Sequence, residues 1–446
     1  MTSPIPESER RADDSEPNPN AVREPAESRP SSRPEAGRWL GSGRTFRLDP
    51  PRLRTTGDSA EERRATWFEL YFDLVFAAAI GQLATSLSKQ PTTVVFARFA
   101  GLFAVVWWAW ILYTLYANRF DTDDLIFRAA QSCAMLAIAV IAIDLHRVMH
   151  GRGGAIELAS CYVVLRVVLV ALYWRARHHV EGPGRDLSNV YIVGYSTTTG
   201  LWLLSIFLAS PYRQVAWAAA MLIDLGVPMF AWPKLRGASV VISHLTERFG
   251  TFFIIVLGDA VIAVVAGVAG LRFSVDSSIV AAACFVIGLT LWWIYFDLTD
   301  TSVVGRGALG LTFAYAHFPL LAGITAFGAG TKLAITHATH HGLEAAARWA
   351  LGGGIAAFAL SLAAIYIGAE WTSMRDRTFA GRLVLAVVAI TLAAAGGHLP
   401  PPVFAALLAV AMLGHLGFEA FTAQEGAATV IEPRPAVAEV AAEGSA

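Results

Sequence analysis

The stretch "WFELYFDLVF", residues 67–76, opens a run from Thr66 to Leu87 that reads as a membrane span, yet it carries Glu69 and Asp73. Carboxylates are costly in hydrocarbon, and a chain that keeps them there usually uses them. Spaced four residues apart, the two lie about 40° apart on one helical face. A carboxylate also suits a helix N-terminus, where the backbone dipole is positive. That bland role fits Glu69 better than the deeper Asp73. Arg128, entering the third span from the same side, is the expected partner of Asp73.

The chain around this stretch is 55% hydrophobic and 15% charged, against about 25% charged in soluble proteins. Its apolar residues come in long blocks. The expected fold is an all-α polytopic membrane protein. A net charge of −1 over 446 residues argues against a nucleic-acid partner. The natural surroundings are a lipid bilayer.

About twelve spans follow, near 66–87, 92–117, 125–145, 155–174, 188–209, 213–231, 248–268, 278–298, 308–331, 345–368, 380–396 and 402–421. Each approaches the ~20 residues needed to cross ~30 Å of hydrocarbon. Residues 1–65 hold 12 Arg and 12 acidic residues and little that could form a core, so they read as a disordered tail. Residues 422–446 read as a second tail. Arg119, Arg175, Arg177, Arg185, Lys234, Arg236, Arg306, Arg375 and Arg377 fall in one set of loops, and fewer basic residues fall in the other. The bias places both termini in the cytoplasm, in a bacterial cytoplasmic membrane.

The sequence also repeats. "AMLIDLG", 220–226, recurs as "AMLGHLG", 411–417, at an offset of 191, and Pro211 matches Pro402 at the same offset. Trp107-Trp108 recurs as Trp292-Trp293, and Glu69 matches Glu247. These matches suggest two parallel six-helix repeats, 66–231 and 248–421, joined by a linker over 232–247 and related by an axis along the membrane normal.

The second-half counterpart of the opening stretch is "HLTERFGTFFIIVLGDAVIAVV", 244–265. Glu247 lies at its start. Asp259 lies 12 residues further on, about 18 Å deeper at 1.5 Å per residue, where a helix terminus no longer excuses it. "ELYFDLVFAAAIGQL" and "ERFGTFFIIVLGDAVIAVV" together resemble the two signature segments of the bacterial low temperature requirement protein A (LtrA) family. Glu69, Phe72, Asp73, Leu74, Val75 and Phe76 match the first signature. Glu247, Arg248, Phe249, Gly250, Ile255, Val256, Leu257 and Gly258 match the second. The chain departs at Asp259, where the family usually has glutamate. The resemblance spans about 66–421 and brings no established reaction or substrate with it.

Several polar residues fall near one estimated depth: Arg166, Thr197–Thr199, Asp224, Asp259, His317 and His415. One arginine against two aspartates leaves a carboxylate over, and Asp259 and Arg166 are expected to converge with Asp224 close by. The opposing reading is a static ion pair with threonines that pack helices. His146 and His150 follow the third span, and His337, His340 and His341 follow the ninth, in equivalent places. On a helix His337, His341 and Glu344 would share a face. A metal site and plain loop histidines both stay open there, but the HExxH spacing is absent, so no metal and no cofactor is expected. G-x-S-x-G, P-loop and G-x-G-x-x-G motifs are absent too, and no catalytic residue is assigned.

Three functions compete. A translocator of a small solute or ion would use the midplane charges, together with Glu69, Asp73, Glu247 and Arg248. A membrane enzyme or lipid-handling factor would use the loop histidines. A non-transporting scaffold or sensor for low-temperature growth would need neither. The first is preferred.

Overall fold

Thr66 starts the first helix with a reciprocal cap. Its hydroxyl accepts from the Glu69 amide at 3.2 Å while the Glu69 carboxylate accepts from the Thr66 amide at 2.8 Å. Such caps contribute about 0.5–2 kcal/mol. Thr92, Asp124 and Ser274 cap the second, third and eighth helices with a single bond each, the side-chain oxygen accepting from the amide three residues on. The computed structural model describes residues 48–53, 65–121, 123–235, 242–269, 274–298, 309–369 and 377–431.

The helices are α1 (Trp67–Lys89), α2 (Thr93–Arg119), α3 (Leu125–Met149), α4 (Ala155–His179), α5 (Gly182–Phe207), α6 (Tyr212–Leu235) and α7 (Ile242–Val268). They continue with α8 (Val275–Asp297), α9 (Leu309–Thr336), α10 (Ala345–Arg348), α11 (Gly354–Ala369), α12 (Arg377–Ala395) and α13 (Pro401–Ile431). A π-helical segment, Trp349–Gly353, joins α10 to α11, so these two make one span. Among the described residues, twelve helical segments are long and apolar enough to cross a membrane. Their outward faces carry large apolar side chains such as Ile143, Val193 and Phe230, which suit lipid and not water.

Packing runs α1 on α3, α3 on α4, α4 on α5 and α5 on α6, and then α7 on α9, α9 on α11 and α11 on α12. The α1 helix also packs on α7 and α9. The tightest crossing joins α9 to α11. A Cβ on Gly323 would stand 2.6 Å from the Gly354 carbonyl oxygen, so only glycine permits it. Trp110 of α2 stacks on Phe252 of α7 with ring centroids 4.2 Å apart, fastening the second helix to the seventh.

Four expectations change. Part of the N-terminal segment read as disordered is ordered: Arg52–Leu53 (β1) pairs antiparallel with Phe120–Asp121 (β2), the described exception to an all-helical chain. The Asp49 carbonyl accepts from Arg175 at 2.7 Å beside it. Composition alone misses this because two residues suffice for the pairing; residues 1–47 and 54–64 lie outside the described residues. The α13 helix continues to Ile431, into the segment read as a C-terminal tail. The linker is also shorter than 232–247, since α6 reaches Leu235 and α7 begins at Ile242. Finally, α9 stops at Thr336, so His337, His341 and Glu344 share no helical face.

Candidate functional site

The carboxylates of the opening stretch face the seventh helix. Asp73 is fully buried and its Oδ1 accepts from Arg248 Nη2 at 2.5 Å and from Trp110 Nε1 at 2.7 Å. Glu69, one turn earlier, stands 3.4 Å from Arg248 Nη1 and 3.5 Å from His244 Nε2. His244 and Arg248 sit one turn apart on α7, so both meet the one face of α1 that holds Glu69 and Asp73. Asn118 of α2 reaches His244 Nδ1 at 3.4 Å. All of these side chains are buried. The Asp73 Oδ2 and Arg248 Nε atoms have no hydrogen-bond partner among the described residues.

Arg248, not Arg128, is therefore the partner of Asp73. Arg128 pairs with Asp123 at 2.8 Å and lies over the Phe68 ring. Arg128 does reach α1, at Phe68, but Asp73 turns instead to Trp110 of α2 and Arg248 of α7. Glu247 stays outside this network: it is exposed, and its carboxylate accepts from the Ala65 amide at 3.2 Å.

The residues expected to share one depth separate into four places. Arg166 of α4 donates to Asp224 of α6 and to Thr198 of α5, each at 2.5 Å, and Thr198 donates to Asp224 at 2.8 Å. Asp259 does not join them. It is half-buried on α7 against Gly81 of α1, where a Cβ on Gly81 would come within 2.9 Å of Oδ1. It has no hydrogen bond or ion pair among the described residues. The α4 helix packs on α3 and α5 while α7 packs on α1 and α9, so the two side chains belong to different groups of helices.

His317 of α9 is fully buried, with Nδ1–H donating to the Phe313 carbonyl at 2.7 Å and Nε2 2.9 Å from the Tyr295 hydroxyl. His415 lies 3.0 Å from Glu419, which also takes two contacts from Arg382 at 2.6 and 3.2 Å. Arg382 donates further to the Leu362 carbonyl at 3.0 Å.

Sequence reasoning missed His244, Trp110, Asn118, Arg382 and Glu419. The signal for His244 was its spacing of four from Arg248. Arg382 and Glu419 lie near span ends, where charge is ordinary and draws no notice. Among the loop histidines, His146 and His150 have rings 4.5 Å apart, with the Ser86 hydroxyl 3.1 Å from His146 Nδ1. His337 and His340 have rings 4.8 Å apart. Partial burial, and next the cations of Arg152, Lys89 and Arg98, hold His150 below the usual histidine pKa, against an opposing Ser86 contact. No group of three or more metal-ligating side chains forms among the described residues.

Two comparisons bear on this arrangement. An uncharacterized protein of Rhizobium meliloti (strain 1021) is 26% identical over 314 residues, covering 67% of this chain and 76% of that protein. The profile of the bacterial low temperature requirement A protein family matches residues 64–416, a stretch that contains Glu69, Asp73, Arg248 and Asp259. With that match covering well over half of its length, the chain belongs to the LtrA family.

Proposed function

We propose that this multi-pass membrane protein translocates a small solute or ion, working in a bacterial cytoplasmic membrane with both termini inside. One observation carries the reading: Asp259 is a carboxylate deep in α7 with no partner among the described residues, at the seam where α7 meets α1. Isolated charges at a helix centre cost about 2.5–3.5 kcal/mol on insertion scales. A purely structural span would lose that cost by carrying alanine or serine there. A lone carboxylate suits a proton, since a metal cation would call for several oxygen ligands.

The six-plus-six duplication belongs to the same proposal. The neighbour order of the first five contacting helices in one half recurs in the other. A shift of 191 also carries Val190, Val193 and Gly194, which line a groove of about 700 Å³ between α5 and α6, onto Gly381, Val384 and Leu385. Those three line a second groove, of about 420 Å³, between α12 and α13. Repeated halves hinged about a seam are a common build for carriers, an analogy of fold only.

A scaffold or sensor is the second reading, favoured by the paired and buried Glu69–Arg248–Asp73 network, which needs no cargo to explain it. Flux assays on purified protein in vesicles, with and without a proton gradient, decide between them. Asp259→Asn should stay folded and lose flux. A folded Asp259→Asn protein with undiminished flux rules out the carrying observation, and absence of any flux in the native protein leaves the sensor.

A further inference from the structure

The buried face of α5 carries Ser188, Tyr191, Tyr195, Thr198, Trp202 and Ser205. Polar groups therefore recur over 17 residues, about 25 Å of helix, most of the hydrocarbon thickness. Two arginines meet this face, and Asp224 accepts from its Thr198. Arg119, ending α2, lies over the Tyr191 ring at 4.9 Å, and Arg166 lies over the Tyr195 ring at 4.7 Å. The two tyrosine rings are 5.2 Å apart, so the guanidiniums stand at two levels of one aromatic column. Beyond Arg166, Tyr162 packs on Trp202 at 4.2 Å, and Trp217 donates to the Ser205 hydroxyl at 2.8 Å.

The column has more donors than acceptors. Arg119 Nε and Nη1, Arg166 Nε and Nη1, and the Tyr162 hydroxyl are buried without a hydrogen-bond partner among the described residues, and the Tyr191 hydroxyl, beside the Arg119 guanidinium, has a hydrogen left to donate. Asp224 Oδ2 is the unpartnered carboxylate oxygen beside them. Arg119 has no carboxylate partner among the described residues. Within the column itself, two guanidiniums stand against one aspartate. A buried cation with spare donors is stabilised by an anion that brings acceptor oxygens. Tyrosine and tryptophan walls favour a flat apolar body behind that anion. The other half lacks the column: at the offset of 191, Tyr195, Thr198 and Trp202 correspond to Ala386, Ala389 and Ala393.

We propose that the α2–α4–α5–α6 group binds a small organic monoanion, held by Arg119 and Arg166 with the Tyr162 and Tyr191 hydroxyls as further donors. This deepens the translocation reading by naming a cargo class, but binding itself needs no flux.

The test is thermal melting of the purified full-length protein in detergent, with benzoate as the probe and benzamide as its uncharged match. Benzoate should raise the melting midpoint by a few degrees, saturably, and benzamide should not. Arg119→Gln should lose most of that rise, and Tyr191→Phe, which keeps the ring, should weaken it several-fold in apparent affinity. Arg128→Gln, at a cation whose partners are Asp123 and the Phe68 ring and not the column, should keep it. If Arg119→Gln does not fold, Tyr191→Phe alone decides. No benzoate shift in the native protein, an equal shift with benzamide, or an undiminished shift in a folded Arg119→Gln or Tyr191→Phe protein overturns the proposal. Benzoate binding without flux of any solute would leave this site standing and remove only the translocation reading.

Discussion

Asp73 and Arg248 bind each other at 2.5 Å although 175 residues separate them, and neither side chain is exposed. The bond ties the first span to the seventh. Removing one partner of such a pair leaves an uncompensated charge and costs about 3–5 kcal/mol. Arg248→Met should therefore lower the detergent melting temperature markedly. Adding Asp73→Leu should recover part of the loss, because one of the two carboxylates facing Arg248 is then gone while Glu69 keeps His244 beside it. Equal stability of Arg248→Met and native protein would show that water reaches the pair.

The ordered N-terminal strip makes a second expectation sharp. Leu53 sits where a Cβ on Gly184 would touch it at 2.9 Å, and β1 pairs with β2 at the end of α2. Deleting residues 1–47 should leave membrane insertion and melting unchanged, since their composition cannot offset the entropy of ordering. Deleting 1–56 should cost about 1–2 kcal/mol, from the lost backbone pairing and the burial of one leucine. Identical melting of the two truncations would mean that the strip docks without contributing to stability.

The spans were legible because length and apolarity alone decide them, and even the Ala-rich segment near 380–396 forms α12 from Arg377 to Ala395. Glu69 was half legible. Its capping role follows from local sequence, whereas its contacts with Arg248 and His244 depend on which helix lies opposite. Depth along a span can be counted, so Arg166, Asp224 and Asp259 were put at one level. Rotation and neighbours cannot be counted, so Arg166 was joined to the wrong aspartate. The repeated tryptophans make the same point: Trp107 and Trp108 are buried, but Trp292 and Trp293 are exposed on the outer face of α8. Identical letters at equivalent places meet different surroundings.

Orientation has its own measurement. Arg177 and Lys332 lie near the C-terminal ends of α4 and α9, an even and an odd span, and so on opposite sides. The basic-residue bias puts Arg177 inside. Reporter fusions should give a cytoplasmic signal at Arg177 and an external one at Lys332. The reverse pattern would invert the molecule without altering any contact described above.

Gly81 and Asp259 supply the last prediction. A Cβ on Gly81 would stand 2.9 Å from Asp259 Oδ1, closer than real Cβ contacts come, so the missing side chain leaves room for the carboxylate between α1 and α7. Gly81→Ala should push the carboxylate off the seam with little effect on stability, because alanine is the better helix former by about 1 kcal/mol. Flux should fall although Asp259 is intact. Asp259→Glu adds one methylene and keeps the carboxylate. With Gly81 in place and the side chain only half-buried, the longer carboxylate can still extend along the seam, and activity should persist. Gly81→Ala combined with Asp259→Glu should do worse than the product of the single effects, since both changes crowd one space. If the two effects multiply, Gly81 is only a packing glycine and the carboxylate works elsewhere.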